Sequence, residues 1–356
     1  MRTLCAVAAA AALIAAAPQP ARSQAAEPKT AEQVFKNIVE LKGTPADQLG
    51  ATMQFMAASL GVQCNFCHVQ GKMDADDLNT KKTARAMIAM TMGINRNSFR
   101  GQLQVSCYSC HRGSARPVAI PPVLDSDAPA PTEAHAAPPA GAPAPTADEI
   151  IQKYVAALGG ADAMQKITSR SMTGKILTGG NESPIEVLTK APNKRITISH
   201  TGDTESFTAF DGAAGWMGTT GRPARDMSPA ESAASGLDAE FYLALRIKEI
   251  FPQLRRGRPE TIGGVECQLL NGAAPGKPAV RLYFDGQSGL LVRMVRYAET
   301  PVGRSPTQID YADYRDVDGV KMPFRWTLSR PNGRFTIQIA EVKANVPIDD
   351  AKFAKR

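Results

Sequence analysis

Apolar residues recur with a helical period through the first third of the chain. The period predicts three helices, over residues 30–43, 44–61 and 81–97. The residues that open the first of these have the form of a capping box, and Gly43 and Gly61 stand where the first two should stop. The pattern therefore predicts a small all-α domain at the start of the folded chain.

From Arg170 onward, apolar and polar positions alternate instead. A capping box at Thr146 opens a helix just before this region, and a helical stretch from about Ala230 to Ile250 interrupts it. We interpret three stretches as strand, turn and strand: IEVLTKAPNKRITISH, VRLYFDGQSGLLVRMVRYAET and FRWTLSRPNGRFTIQIAEVKA. The predicted fold class is α+β, in which the all-α domain is followed by a curved antiparallel sheet with packed helices.

Composition sets the boundaries between these regions. Residues 118–145 are rich in Pro and Ala, which is typical of an extended linker. The first 25 residues combine an early Arg, a short apolar run and a small-x-small sequence, as in a secretory signal peptide. We therefore expect a signal peptide over residues 1–25, a helical domain over 26–117, the linker, and a β-domain over 146–356, in a protein exported to the periplasm.

Charge and cysteine usage exclude several classes of function. A formal net charge of +7 over 356 residues is mild, so nucleic acid is not expected as a partner. The chain has no glycine-rich dinucleotide fingerprint and no Walker sequence, which leaves nucleotide binding without support. Cys5 leaves with the signal peptide, and the odd number of cysteines that remains does not suit a disulfide framework.

Two short motifs carry the chemistry of the chain. VQCNFCHVQ places Cys64, Cys67 and His68 in the order Cys-x-x-Cys-His, and VSCYSCHRG repeats that order further on with Cys107, Cys110 and His111. This spacing is typical of c-type haem, in which the two thiols bind the haem vinyl groups and the His binds iron. A zinc site or a redox dithiol would not explain a His directly after each pair. The motifs therefore predict two covalently attached haem c groups.

The second axial ligand of each iron is less clearly marked. Met53 lies on the predicted helix before the first motif, and Met87 and Met90 lie on the helix before the second. A Met ligand is one interpretation, and simple core packing of these flexible side chains is the other. His135 in the linker and His200 at the end of a predicted strand are the alternative ligands.

The segments that carry the motifs resemble a known family. TMQFMAASLGVQCNFCH and TARAMIAMTMGINRNSFRGQLQVSCYSCHRG are similar to the haem-binding segments of the photosynthetic reaction centre cytochrome c subunit, a periplasmic electron donor to the photo-oxidised chlorophyll pair. The resemblance covers residues 30–117 and implies Met53 as sixth ligand of the first haem. It implies Met87 for the second, as the first Met of a Met-x-x-Met-x-x-x-x-Asn pattern that ends at Asn95. The well-known members carry four haems, whereas this chain has two motifs.

The C-terminal region resembles periplasmic lipoprotein carriers and outer-membrane lipoprotein-sorting proteins, through LYFDGQSGLLVRMVRY and YADYRDVDGVKMPFRW. This resemblance implies a docking or binding module without chemistry of its own. We interpret four aspartates in the region as solvated turn residues, because their spacing is not that of an EF-hand: Asp310, Asp313, Asp316 and Asp318. Cys267 alternates with apolar neighbours and is predicted to be a buried core thiol.

These observations predict a periplasmic two-haem cytochrome that carries single electrons and is not an enzyme. Its expected partners are redox proteins, including a membrane-bound photosynthetic or respiratory complex. One alternative is a carrier or redox sensor that holds an apolar ligand or lipoprotein in the β-domain. A two-haem peroxidase is a further alternative and would need one iron with an open or displaceable ligand position.

Overall fold

The computed structural model of the protein describes residues 29–117, 144–331 and 333–355. The predicted signal peptide and all but the last two residues of the predicted linker, including His135, lie outside these ranges. The first range is called here the helical segment. Its elements are helices α1 (Ala31–Val34), α2 (Gln48–Leu60), α3 (Asn79–Ser98) and α4 (Cys107–His111), with a short 3-10 turn over Cys64–Phe66 between α2 and α3.

Helices α2 and α3 agree with the sequence pattern, but the predicted helix over residues 30–43 is wrong. The capping box forms at Thr30, yet the helix ends after a single turn and Asn37 takes a left-handed conformation with φ 59°. The Asn37 amide donates to the Asp74 carbonyl at 2.5 Å and to the Asp76 carboxylate at 3.0 Å. These side-chain bonds tie Asn37 to a distant loop at the point where the predicted helix would have continued.

The remainder of the described chain forms one large sheet with helices packed on one face. Before the sheet lie α5 (Ala147–Ala157) and α6 (Ala161–Lys166), and between its strands lie α7 (Pro229–Ala239) and α8 (Leu243–Ile250). The strands are β1 (Ser169–Thr178), β2 (Asn181–Lys190), β3 (Lys194–Thr201), β4 (Thr204–Phe210), β5 (Gly215–Thr219), β6 (Arg225–Asp226), β7 (Gln253–Arg256), β8 (Glu260–Ile262), β9 (Val265–Ala273), β10 (Ala279–Asp285), β11 (Leu291–Thr300), β12 (Gly303–Val317), β13 (Val320–Arg330) and β14 (Gly333–Ala344).

The sheet is antiparallel throughout and curved, as predicted, and it is unclosed. Its order is β6-β5-β4-β3-β2-β1-β14-β13-β12-β11-β10-β9-β7, and β8 pairs with β9. The three stretches interpreted as strand, turn and strand form the pairs β2–β3, β10–β11 and β13–β14. The α+β fold class predicted from the sequence is therefore confirmed.

The predicted single helix from Ala230 to Ile250 is wrong, since the structure divides it into α7 and α8. Glu240 has an extended backbone between them, with φ −61° and ψ 105°. The N–H of the buried Phe241 donates to the carbonyl of Pro192 at 3.0 Å, so a bond to the sheet replaces a helical one.

The inner face of the sheet, beneath α5, α7 and α8, holds the main hydrophobic core. Two smaller clusters lie on the opposite face, and Cys267 is fully buried in one of them, as predicted. Asp310 corrects another expectation: it lies within β12, half-buried, and accepts a hydrogen bond from Arg293 at 2.5 Å. It is therefore part of an ion pair across two strands and not a solvated turn residue. Asp313 and Asp316 also lie within β12, where Asp313 is ion-paired with Arg315 at 2.7 Å, and only Asp318 lies in a turn.

The helical segment packs against the tip of the β11–β12 hairpin. Val302 at this tip is fully buried in a cluster with Phe55 and Ile88 of the helical segment. A Cβ atom on the adjacent Gly303 would lie 2.3 Å from the Phe55 ring, so the two surfaces are in close contact. In the ranges given above, no helix combines the length and the apolar character needed to cross a bilayer.

Candidate haem-binding site

Both Cys-x-x-Cys-His motifs line one continuous cavity of about 790 Å³ in the helical segment, called here the motif cavity. Its walls are the inner sides of α2, α3 and α4, together with the turn that follows α2. The six motif residues line it, and so do Met53 and Met87. A cavity of this size is typical of a site for a cofactor or small ligand.

The first motif is presented by the end of α2. Gly61 closes the helix in a left-handed conformation with φ 66°, and the chain then enters the 3-10 turn that begins at Cys64. The N–H of His68 donates to the carbonyl of Cys64 at 2.9 Å, so the two cysteines and the His lie on one tight turn. A single turn brings two thiols and an imidazole to the same wall of the cavity.

The second motif forms the short helix α4, which is held in place from α3. The buried Asn95 accepts hydrogen bonds from the N–H groups of Gln104 and Val105, at 3.0 and 2.9 Å. Its own amide donates to the carbonyl of Val105 at 2.7 Å. One side chain thus satisfies three backbone groups of the loop that leads into α4, and it fixes where that helix begins.

Each motif histidine has one ring nitrogen hydrogen-bonded to a backbone carbonyl. Nδ1 of His68 lies 2.8 Å from the Met73 carbonyl oxygen, and Nδ1 of His111 lies 2.9 Å from that of Ser114. A carbonyl oxygen only accepts, so Nδ1 carries the proton in both rings and the lone pair is on Nε2. This tautomer, with Nδ1–H on a backbone carbonyl, is the one that haem and metal-ligating histidines use.

The surroundings of His68 include a buried ammonium group. Nζ of Lys81, a side chain that is almost fully buried, donates to the Met73 carbonyl at 3.0 Å and to the Ala75 carbonyl at 2.7 Å. The Met73 carbonyl therefore accepts from an ammonium and from the imidazole together. The ammonium also lies 3.2 Å from the Asp76 carboxylate. The two motif histidines thus sit in different electrostatic environments.

The cysteines of the motifs are free thiols, as is Cys267. Burial raises the pKa of Cys67 and of Cys107 above the ordinary value, so both are protonated at neutral pH. Cys64 and Cys110 are exposed. In the described parts of the chain, no three His, Cys, Asp or Glu side chains converge as the ligands of a metal ion would.

The apolar side chains around the motif cavity fit a large, flat, apolar group. Nine of the ten large hydrophobic residues exposed in the described chain belong to the helical segment. Five of these exposed residues line the cavity itself: Phe35, Val39, Phe66, Met73 and Met90. Apolar side chains gathered around an open cavity of this kind favour an occupant that covers them. Together with the thiols and the histidine tautomers, they fit haem attached through both motifs.

Four methionines of α2 and α3 lie at the motif cavity. Met53 and Met56 are both half-buried on α2, and Met87 is half-buried on α3, whereas Met90 is 46% exposed. All four line the motif cavity. His200 does not line it, and its Nδ1 lies 3.4 Å from the Glu205 carboxylate at the far side of the sheet. The structure therefore brings all four methionines to the cavity that the motifs line and leaves His200 away from it.

Sequence reasoning missed the residues that support the motifs from outside. The Lys81 ammonium donates to the Met73 carbonyl, and Arg85 donates to the nearby Asp76 carboxylate. No local sequence pattern marks these contacts. Asn95 was visible only as the last letter of a family pattern, and its three bonds to the loop before α4 were not foreseen. The sequence signal that could have indicated this role is an Asn in helical register with Ile88 and Thr91, shortly before the loop that leads into the second motif.

Comparison with known proteins supports this reading of the site. The model of the family "Photosynthetic reaction centre cytochrome C subunit" matches residues 4–148, which contain both motifs. The subunit of that name from Thermochromatium tepidum is 32% identical over 106 residues, and that from Roseobacter denitrificans is 32% identical over 100 residues. These matches cover 28% and 25% of this chain, and 26% and 27% of the relatives. The chain thus spans about a quarter of the length of the relatives it matches.

Solved structures similar to this chain are more distant. A DUF1329 family protein from Desulfovibrio piger has a TM-score of 0.42 at 14% identity, over 59% of this chain and 98% of that one. A LolA superfamily protein from Nitrosomonas europaea has a TM-score of 0.40 at 13% identity, over 60% and 99%. The sequence relatives support a c-type cytochrome in general. By its motifs and by the family that matches residues 4–148, the N-terminal part of the chain is similar to photosynthetic reaction centre cytochrome c subunits, as the sequence predicted.

Proposed function

We propose that the chain is a two-haem c-type cytochrome that accepts and passes on single electrons in the periplasm. The observation that carries this proposal is the motif cavity. Two complete motifs open onto one space, and in each the His has Nδ1 on a backbone carbonyl and Nε2 free. One motif would support a cytochrome, and two on one cavity support a relay between neighbouring centres.

The residues that would hold each group follow from the motifs. Cys64 and Cys67 would form the thioethers of the first haem and Cys107 and Cys110 those of the second, while His68 and His111 would bind iron. Haem bound in this way supplies an iron that gains or loses one electron. The Met73 and Ser114 carbonyls orient the imidazoles, and the apolar side chains of the cavity would exclude water from the bound group.

Met53 and Met87 are the proposed sixth ligands. Both are half-buried and line the motif cavity from the helix that precedes each motif. A second protein ligand closes the position at which oxygen or peroxide would bind, which favours electron transfer over peroxidase chemistry. Met as the second ligand also gives a higher potential than a second His would.

The proposed partners are redox proteins, and a membrane-bound photosynthetic or respiratory complex is the candidate that the relatives suggest. Exposed arginines flank the second motif in the sequence, and none of them has an ion pair within the described residues: Arg96, Arg100, Arg112 and Arg116. A cationic surface of this kind speeds encounter with an acidic partner and makes the rate depend on salt. The proposal therefore includes docking through the face that carries the second motif.

Haem stoichiometry tests the proposal. Mature protein from a host that assembles cytochromes c should carry the mass of two covalent haems. The double change Cys64→Ala and Cys67→Ala should remove one haem and leave the other. The matched control is Cys267→Ser, in the buried thiol on the opposite face of the sheet, which should leave both haems in place. One haem or none in the unmodified protein, or loss of a haem in the control, would contradict the assignment.

A further inference from the structure

The inner face of the sheet contains a second cavity, of about 520 Å³, that is separate from the motif cavity. Four arginines from four different strands line it: Arg170 on β1, Arg195 on β3, Arg296 on β11 and Arg330 on β13. It is called here the arginine cavity. Along each strand the arginine alternates with residues of the opposite face, so the sequence register directs all four guanidinium groups inward.

The positive charge of the arginine cavity is only partly balanced. Arg296 forms an ion pair with Asp238 of α7. The other acidic residue in the lining, Glu240, is paired with Arg246 at 2.8 Å. Within the described ranges, neither Arg170 nor Arg195 forms an ion pair with a carboxylate, although Asp238 attracts Arg195 from beyond ion-pair distance. The cavity therefore carries an excess of positive charge on the half-buried Arg170 and Arg195, which a bound anion would offset.

The two unpaired guanidiniums lie over aromatic rings instead. Arg170 lies 4.3 Å from the centre of the Phe241 ring, and Arg195 lies 5.8 Å from that of Trp326. The Nε–H of Arg170 is buried and has no hydrogen-bond partner. Burial lowers the pKa of Arg170 to about 10 and also lowers that of Arg195. Ring contacts thus hold the groups in place but leave hydrogen-bond donors unused.

The rest of the lining is apolar. Side chains of the main core form the floor and walls, among them Met172, Met294, Ile309 and Met322. Arg330 is exposed, so the cavity reaches solvent at that point. A site with mostly apolar walls and a few hydrogen-bond donors selects a ligand that has an apolar part and a polar, hydrogen-bond-accepting part.

We infer that the arginine cavity binds a small amphipathic anion, with a carboxylate or phosphate head held by Arg170 and Arg195 and an apolar tail against the methionines. Guanidinium groups suit both heads, because their planar fork donates two parallel hydrogen bonds to a carboxylate or a phosphate. The inference concerns the sheet alone and does not depend on the haem assignment.

Calorimetric titration of the haem-loaded full chain tests the inference with a matched ligand series. The probes are octanoate and octyl phosphate as anions, octanol and octylamine as a neutral and a cationic tail, and inorganic phosphate as a head without a tail. We expect both tailed anions to bind at least tenfold more tightly than the other three. Equal affinity for octanol would show an apolar pocket without head recognition, and equal affinity for inorganic phosphate would show a bare anion site. Either result, or no binding of the tailed anions, would overturn the inference.

Variants locate the head group. Arg195→Gln and Arg170→Gln should each weaken octanoate binding at least tenfold, whereas Arg281→Gln should leave it unchanged. Arg281 is a suitable control because it lies on β10 beside Tyr283, on the face of the sheet opposite the cavity. Haem absorbance and circular dichroism of each variant show whether it is folded. If folded Arg195→Gln and Arg170→Gln protein bound octanoate as the unmodified chain does, the head would not be at these arginines.

Discussion

Gly61 and Gly113 meet so closely that a Cβ atom on Gly61 would lie 2.1 Å from the carbonyl oxygen of Gly113. Gly61 ends α2 just before the first motif, and Gly113 follows the second. The N–H of Gly113 also donates to the carbonyl of Ser59 at 2.8 Å. Backbone contacts at Gly113 therefore fix the distance between the two motifs.

We expect Gly61→Ala to destabilise the protein more than Gly71→Ala. Both glycines have a left-handed backbone, which costs an alanine about 1–2 kcal/mol. Only at Gly61 would the new Cβ meet backbone, since nothing lies within 4 Å of the equivalent position on Gly71. The total for Gly61→Ala should be about 3 kcal/mol or more. Urea unfolding followed by circular dichroism measures the free energy of unfolding of both variants. Equal losses would show that the backbone moves away from the new Cβ at no cost.

Met53→Ala should open the first haem to external ligands if Met53 binds its iron. The ferric protein should lose part of its weak near-infrared sulfur-to-iron band and become partly high-spin. Met56→Ala is the matched control, because Met56 lines the same cavity from the same helix. It should cost about 2–4 kcal/mol of stability through lost packing and leave the band in place. An unchanged low-spin spectrum in Met53→Ala would show that Met53 packs in the core and does not bind iron.

The same comparison separates Met87 from Met90 at the second haem. Met87 is half-buried and Met90 is 46% exposed, so Met87→Ala should diminish the sulfur-to-iron band and Met90→Ala should not. Carbon monoxide binding to the reduced protein gives an independent measure, since only an iron that has lost its ligand should bind it rapidly. Rapid binding by the unmodified protein would instead indicate an open iron and favour the peroxidase or sensor alternatives.

Lys81→Met should lower the reduction potential of one haem. The Lys81 ammonium shares the Met73 carbonyl with His68, so its removal strengthens the His68 hydrogen bond and makes the imidazole a stronger donor to iron. Loss of a nearby positive charge acts in the same direction. A change worth about 0.5–1 kcal/mol corresponds to roughly 20–40 mV for one electron. The exposed neighbour Lys82, changed to Met, is the control.

Redox titration followed by absorbance checks this prediction. One of the two waves should move to lower potential in Lys81→Met while the other stays in place, and neither should move in Lys82→Met. A shift to higher potential, or an equal shift of both waves, would contradict a local effect through the Met73 carbonyl.

Asp76 should make the helical segment sensitive to acid. Hydrogen bonds from Arg85, at 2.8 Å, and Asn37, at 3.0 Å, hold the pKa of Asp76 well below its ordinary value of about 4. A lowered pKa contributes stability that is fully present above the ordinary value and is lost as the pH falls below it. Asp76→Asn should therefore be less stable than the unmodified protein at pH 7, with a difference that shrinks from about pH 5 towards pH 2.

Denaturant unfolding at several pH values measures this difference. The control is Asp77→Asn, at an exposed neighbour without an ion pair among the described residues. It should show little difference from the unmodified protein at any pH. A deficit in Asp76→Asn that is the same at pH 7 and pH 3 would mean that the carboxylate charge is not what stabilises this loop.

Elements that depend on nearby residues were predictable from the sequence. Helix α2 ends at Gly61 and the β-hairpins form where the period of two is broken by turn residues, because periodicity and turn chemistry act over a few positions. The helix expected over residues 30–43 failed for the opposite reason. Asn37 bonds to Asp74 and Asp76, nearly forty residues later, and no local pattern contains that information.

The candidate site divides in the same way. The Cys and His residues were identified because haem chemistry needs them at fixed spacing within one turn. Lys81 could not be found by such reasoning, since its ammonium reaches carbonyls that only the folded loop brings near it. The four inward-facing arginines of the sheet were likewise invisible, because each is one ordinary residue on a separate strand.

The β11–β12 hairpin has a consequence for how the two halves of the chain communicate. Its strand β11 carries Arg296 of the arginine cavity, and its tip places Val302 against Phe55 on the helix that carries Met53. If a ligand in the arginine cavity changed the reduction potential through this hairpin, thermodynamic linkage would require reduction to change the ligand affinity by the equivalent factor. The hairpin would in that case make the protein a receptor whose occupancy depends on its oxidation state.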